Sequence, residues 1–271
     1  MSGKIGFIGA GNMAEAIIKG IVDSGIYQPQ DVFISDIRAE RVESLCGQYK
    51  VTAAEDNFRL AKSCKTLVLA VKPQNIDDVL TQLKGIASDD HMIISIAAGV
   101  TIAKISNALG DLPIVRVMPN TPALIGCGAA GVYANQKSAG RIDDVLKIFS
   151  AVGTAVVVDS EDLIDAVTAV SGSGPAYFFL LAEEMIKAGV GLGLETDLAT
   201  RLVLQTAKGA AMLAQAGNTT GQSPAQLRQK VTSPGGTTAA AIDVFTSQKF
   251  DDTVAAAIRA AYDRSKELSG A

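Results

Sequence analysis

Tryptophan is absent from this 271-residue chain, aromatic residues make up 5% of it, and it has a single histidine. Its core must therefore be built from aliphatic and small side chains, and 48% hydrophobic against 19% charged residues is ample for one. Cysteines are few: Cys46, Cys64 and Cys127, an odd count with no C-x-x-C spacing. With so few sulfur and imidazole ligands no metal site is expected, and the thiols read as reduced side chains of a cytoplasmic protein. The lone histidine, His91, precedes an apolar run and reads as a surface residue, so no Ser–His or Cys–His nucleophile pair can be assembled. Positive charge is not in excess. Lys and Arg number 24 against 28 Asp and Glu, a net charge of −4, which argues against a nucleic-acid or anionic-membrane partner. The longest uncharged stretch, near Val167–Ala182, is interrupted by Ser171-Gly172-Ser173-Gly174-Pro175 and is not expected to span a membrane. Strand-like sequence begins at Lys4, so no signal peptide is expected.

What is present starts with Ile5-Gly6-Phe7-Ile8 running into Gly9-x-Gly11-x-x-Ala14, with helical periodicity at Ile17, Ile18, Ile21 and Val22 directly after. Gly9 permits the tight turn and Gly11 lets backbone approach a pyrophosphate. Ala14 lets the helix pack on the strand, and the free N–H groups of the helix start face the anion. The pattern predicts dinucleotide binding; the alternative is a strand–helix turn that binds nothing.

Short β-type runs alternate with helical patterns through the first part: Ile5–Ile8, Val32–Ser35, Leu67–Val71, Met92–Ile96 and Ile114–Val117. A further pair, Ala129–Tyr133 and Ala155–Val158, flanks a helix over Ile142–Val152. Such alternation predicts a parallel sheet covered by helices. After Asp159 no strand is expected, and Ser160 reads as the N-cap of a helix. Pro175–Ala188 carries Tyr177, Phe178, Leu181, Met185 and Ile186 on one side, and Leu198–Ala216 is rich in Ala, Gly and Leu. These helices carry more apolar positions than a small monomer can bury, which predicts self-association. The expected fold is therefore α/β: an N-terminal Rossmann-type, mostly parallel sheet with helices on both faces (residues 1–159), plus a C-terminal all-α dimerisation and substrate-binding domain (residues 160–271).

Open α/β sheets bind ligands at the carboxyl edge. Five successive strand ends there carry small or turn-forming residues: Gly9–Met13, Ser35–Arg38, Lys72–Asn75, Ala97–Gly99 and Met118–Pro122. Ordinary turn chemistry is the alternative. Asp36 is placed to hydrogen-bond an NAD ribose 2′-OH, whereas Ser35 and Arg38 could hold the phosphate of NADP, and Asp36 could equally cap the following helix. A second cluster, Ser233-Pro234-Gly235-Gly236-Thr237-Thr238, opens a helical run at Ala239. It reads either as an anion site suited to a carboxylate or as a capping turn. Ser171–Gly174 reads as a substrate-side loop or a cap. Hydride transfer to or from an alcohol usually needs a His or Lys base, and Pro175–Glu184 holds no lysine where β-hydroxyacid dehydrogenases carry one. A protonated C=N bond needs no such base, so the inventory fits imine reduction better.

These motifs converge. The chain resembles pyrroline-5-carboxylate reductases from end to end, on Phe7–Met13, Ala70-Val71-Lys72-Pro73, Ser95–Val100, Arg116–Pro122, Ser171–Tyr177 and above all Val231–Thr238. The resemblance implies reduction of 1-pyrroline-5-carboxylate to L-proline by NADPH or NADH, with a slight lean to NADPH, as the last step of proline synthesis. It implies cofactor contacts at Gly9, Ala10, Gly11, Asn12, Met13, Ser35, Asp36, Arg38, Asn57, Ala70, Val71, Lys72, Pro73, Ala97, Ala98, Gly99 and Asn120. It implies substrate contacts at Glu161, Ser233, Gly235, Gly236, Thr237 and Thr238, with the Thr238 hydroxyl near the ring nitrogen in the catalytic role. It also implies an interlocked dimer or ring of dimers, in which the turn Ser233–Thr238 of one subunit completes the other's site. Two departures from the family pattern stand out: Lys230 where some members have asparagine, and Asp36 where NADPH-preferring members are uncharged. The remaining readings are a β-hydroxyacid or ketopantoate-type reductase and a non-catalytic nicotinamide sensor.

Overall fold

The computed structural model describes residues 3–270, in two compact units. The first runs to Pro175 and resumes from Ala260; the second is Ala176–Arg259.

The first unit is built on eight strands: β1 (Ile5–Ile8), β2 (Val32–Ser35), β3 (Thr52–Ala53), β4 (Thr66–Leu69), β5 (Met92–Ser95), β6 (Ile114–Met118), β7 (Gly128–Ala134) and β8 (Gly153–Val157). They form one sheet in the order β3-β2-β1-β4-β5-β6-β7-β8. Every pairing is parallel except β6 with β7. Between the strands lie α1 (Asn12–Asp23), α2 (Ala39–Tyr49), α3 (Asn57–Ser63), α4 (Ile76–Leu83), α5 (Ile102–Leu109) and α6 (Ile142–Ser150), and α7 (Leu163–Val167) follows β8.

Side chains of successive strand residues point to opposite faces, and both faces are covered, so the central strands read as unbroken apolar runs. Ile5 and Phe7 of β1, Val68 of β4 and Ile94 of β5 face one core, which contains Ile17, Ile18 and Ile21 of α1 and Phe149 of α6. Ile8, Leu67, Leu69 and Ile93 face the other, against Leu60 of α3 and Leu80 and Leu83 of α4. The strand order reverses beside β1, with β2 on one flank and β4 on the other, which opens the switch-point crevice at their carboxyl ends.

The second unit is helical. It takes in most of α8 (Gly174–Gly191), then α9 (Thr196–Thr219), α10 (Pro224–Lys230), α11 (Thr237–Ser247) and the start of α12 (Phe250–Ser269). Its helices leave large apolar side chains uncovered, among them Phe178, Phe179 and Leu181 on α8, Met212 and Leu213 on α9, and Val244 and Phe245 on α11. By length and composition alone, the continuous helical run Leu163–Gly191 is long and apolar enough to cross a membrane.

Several expectations need amendment. The sequence changes character at residue 159, yet α7 and the turn after it pack with the sheet, where Ile164 and Ala169 are buried. The stretch from Ala260 also returns to that unit. Ser171–Gly174 is not a loop, and Ser173 serves as a cap. Thr168–Gly172 form a π-helical turn, closed by the Ser173 amide on the Thr168 carbonyl, that carries α7 into α8. Ser160 caps with its carbonyl, which accepts the Leu163 amide, and Asp162 occupies the N-cap position. His91 is buried: its Nε2 pairs with the Ala61 carbonyl at 3.0 Å and its Nδ1 with Ser88, which together satisfy the ring.

Candidate active site

The glycine loop after β1 sits at the sheet's switch point and is held on three sides. Gly9 has φ of +104°, and a side chain there would begin 2.7 Å from the Ala70 carbonyl oxygen, so only glycine fits between the ends of β1 and β4. Its amide donates to the Ser35 carbonyl at 2.7 Å. The Ala10 amide donates to Asp36 Oδ2 at 2.7 Å, and the Ala10 carbonyl accepts from Arg41 Nε at 2.8 Å. Arg41 also pairs with Glu15, whose other oxygen accepts the Tyr49 hydroxyl at 3.1 Å. The acidic residue in the first turn of α1 is thereby matched by a cation of α2. Sequence reasoning missed Arg41; the available signal was a basic residue on the helix following β2.

At Gly11, the N-cap of α1, a side chain would meet nothing within 4 Å. Packing within the protein does not require glycine there, whereas close approach of a phosphate to the α1 amides does. Asn12 and Met13 open the helix. A dinucleotide fits this donor set: a rigid turn, an uncapped helix start of 12 residues and no side chain over it.

Asp36 ends β2 with both oxygens engaged. Beyond Ala10, it accepts the Arg38 amide at 2.9 Å, Arg38 Nε at 3.0 Å and Arg38 Nη2 at 3.1 Å. Burial pushes its carboxyl up, but the hydrogen bonds from Arg38 and Ala10 and the Arg38 charge outweigh this and bring it to about 2. The Arg38 side chain remains 60% exposed, whereas Ser35 is buried.

The other predicted cofactor residues line the same edge. Ala70 and Val71 follow β4 and Ala97–Gly99 follow β5, while Lys72 and Pro73 enter a short 3₁₀ turn and are exposed. Asn57 opens α3 and donates to Gln82 at 2.7 Å. Asn120 is different: it is buried, and its amide donates to the Ser171 carbonyl at 3.0 Å and accepts the Ala129 amide at 2.8 Å, so the side chain ties β6 to the π-helical turn. Glu161 uses Oε1 to accept the Ile102 amide at 2.7 Å and Arg116 Nη1 at 3.1 Å. Cys64 is inert at neutral pH, because burial pushes its thiol up to about 12 against a weaker pull from Lys4.

The second predicted cluster lies in the helical unit. Gly235 has φ of +72°, and Gly236 is the N-cap of α11, its amide closing a turn on the Ser233 carbonyl at 3.0 Å. No side chain caps α11 and no acidic residue occupies its first turn. The amides of Thr237, Thr238 and Ala239 therefore stand at the positive end of an 11-residue helix, with two threonine hydroxyls beside them. Lys230 is exposed and donates to Gln222 at 2.6 Å.

Residues 161–268 match the pyrroline-5-carboxylate reductase dimerisation family, and residues 4–99 match the coenzyme F420-dependent NADP oxidoreductase family. The chain is 46% identical to the pyrroline-5-carboxylate reductase of Pseudomonas aeruginosa over 98% of its own length and 97% of that protein's. It superposes on the structure of a pyrroline-5-carboxylate reductase from Coxiella burnetii with a TM-score of 0.93 at 40% identity, covering 99% of each chain. It also superposes on the Plasmodium falciparum pyrroline carboxylate reductase, solved with NADP bound, with a TM-score of 0.87 at 33% identity over 99% of this chain and 98% of that one. Identity at this level over the whole length, with both halves matched, decides the matter: the chain belongs to the pyrroline-5-carboxylate reductase family.

Proposed function

We propose that this chain reduces 1-pyrroline-5-carboxylate to L-proline with NAD(P)H, binding the cofactor at the switch point and the substrate carboxylate at the start of α11. Bound NAD(P)H supplies a hydride from nicotinamide C4 to C5 of the protonated ring imine, whose C=N π pair moves onto nitrogen. The loop Gly9–Met13 holds the pyrophosphate on backbone amides. Ala70–Pro73 and Ala97–Gly99 flank the nicotinamide half, and Asn57 lies toward the adenosine ribose. Asp36 holds Arg38 at the end of β2, so the exposed guanidinium would have to leave that carboxylate to receive the 2′-phosphate of NADPH.

The Thr237–Ala239 amides, with the Ser233 and Thr237 hydroxyls, grip the carboxylate, and the Thr238 hydroxyl accepts from the ring N–H and steadies the developing amine. No strong base is required, since the imine nitrogen arrives protonated. Catalysis is then largely positioning, which supplies about 7–11 kcal/mol in favourable intramolecular cases. The uncapped start of α11, bearing two threonines and no competing carboxylate, carries this reading.

The exposed apolar faces of α8, α9 and α11 pair with those of a second copy, and dimers assemble further into a ring, in the cytoplasm and away from membranes. The turn Ser233–Thr238 then serves the neighbouring subunit's cofactor. Subunit mixing tests this. A Gly9→Asp chain (no cofactor) and a Thr238→Ala chain (impaired substrate handling) are each weak alone. Co-refolded, they regain activity, because mixed dimers contain one intact composite site. No recovery in verified mixed dimers places both halves of the site in one subunit.

A further inference from the structure

The chain leaves the sheet unit after Pro175 and rejoins it at Ala260. Close to each crossing is a buried polar residue, Asp165 on α7 and Ser265 on α12. They meet: Ser265 Oγ donates to Asp165 Oδ1 at 2.6 Å across 100 residues of sequence. Arg116 of β6, only 3% exposed, reaches the same carboxylate oxygen with Nη2 at 3.7 Å and donates to Glu161 with Nη1 at 3.1 Å. Glu161 in turn accepts the amide of Ile102, the first residue of α5. On the other side of that segment the backbone of Leu268, near the end of α12, stands 3.0 Å from where a side chain on Gly99 would begin, and Gly99 has φ of +71°. The loop Ala97–Thr101 is therefore held at two points, by Glu161 at Ile102 directly after it and by the close approach of Leu268 to Gly99 at its middle. Both grips lead back to the cluster of Arg116, Asp165 and Ser265.

A buried arginine facing two carboxylates is costly to desolvate, and apolar side chains of similar shape would hold three elements together at least as well. What the charged cluster adds is direction. Each of its hydrogen bonds fixes one element relative to another, and Asn120 adds a further tie from β6 to the π-helical turn.

We propose that Arg116, Asp165 and Ser265 form a clamp of positioning residues that sets the loop Ala97–Thr101 against the nicotinamide half of the bound cofactor. The clamp touches neither substrate nor cofactor. It rests on the reading above that this loop flanks the cofactor, and the test separates the two.

Steady-state kinetics on the full chain with Ser265→Ala, Ser265→Thr, Asp165→Asn and Ala98→Val, each first shown to be folded by circular dichroism, provide that test. Ser265→Ala raises KM for NADPH at least about threefold while kcat and KM for pyrroline-5-carboxylate stay within about twofold, and Ser265→Thr, which keeps the hydroxyl, restores the wild-type value. Asp165→Asn retains an oxygen acceptor for Ser265 but loses the charge facing Arg116, and it moves KM for NADPH in the same direction. It stands in for Ser265→Ala should that variant not fold. Ala98→Val places a methyl pair directly in the loop and also raises KM for NADPH. An effect of Ala98→Val without one from folded Ser265→Ala or Asp165→Asn overturns the clamp alone. No effect from Ala98→Val overturns the placement of the loop beside the cofactor, and the clamp with it.

Discussion

Replacing Asp36 with alanine removes the group on which the glycine loop is built. Its carboxylate receives the Ala10 amide and three donors of Arg38, and the side chain is only 8% exposed. A carboxyl brought to about 2 in the folded chain from an ordinary 3.8 stabilises that chain by about 1–2 kcal/mol at neutral pH once solvent screening of the exposed Arg38 is counted. The Ala10 amide left without a partner adds about 1 kcal/mol to the loss. The pH dependence has a definite sign. A depressed carboxyl contributes in full above its unfolded value, and the contribution disappears as pH falls through the folded one. The gap in stability between wild type and Asp36→Ala should hold from neutral pH down to about 5, lose about half of its ionic part near pH 3, and keep shrinking toward pH 2. Urea unfolding followed by circular dichroism at fixed protein concentration measures the gap, the concentration being held because association shifts apparent stability. A gap below about 0.5 kcal/mol at pH 7, the size of an ordinary surface substitution, refutes the argument. So does a gap that does not change between about pH 5 and pH 3, since the ionised carboxylate would then not be its source.

Gly9→Ala places a methyl group 2.7 Å from the Ala70 carbonyl at a φ of +104°. It should cost at least about 2 kcal/mol in thermal or urea unfolding and weaken NADPH binding measured by fluorescence. Thr238→Ala should lower kcat/KM for pyrroline-5-carboxylate at least about tenfold, or about 1.4 kcal/mol, without altering the circular dichroism spectrum. Phe178, 72% exposed on α8, belongs to the apolar face assigned to the second copy. Phe178→Asp should move the chain from dimers or larger assemblies to monomers in light scattering, because a carboxylate buried in that interface has no partner.

The parallel sheet was legible because buried strands of a doubly covered sheet are continuous apolar runs. β1, β2, β5 and β6 lie within a residue of the expected spans. β3 escaped notice because two residues carry no periodicity, and its pairing with β2 is set by the tertiary fold. The glycine loop and the start of α11 could be read locally, since a tight turn and an uncapped helix each have a compositional signature. His91 was misplaced on the surface because polarity predicts exposure, whereas its two ring nitrogens find partners at Ala61 and Ser88. Serine and glycine signal loops, so Ser171–Gly174 read equally as a loop or a cap, and only the cap holds, at Ser173. Here Ser171 returns its hydroxyl to the Val167 carbonyl, and the segment stays helical with a wider turn. The tie from Asp165 to Ser265 and the support of Ala10 by Arg41 join distant segments, and no periodicity in a single sequence encodes such pairings.

The central claim is that a hydride passes directly from reduced nicotinamide to the imine carbon of a substrate held by its carboxylate. NADPH carrying deuterium at C4 on the transferred face, incubated with this chain and 1-pyrroline-5-carboxylate, should yield proline with one deuterium at C5, detected by mass spectrometry and NMR. Proline without the label, or cofactor binding with no proline formed, would contradict it.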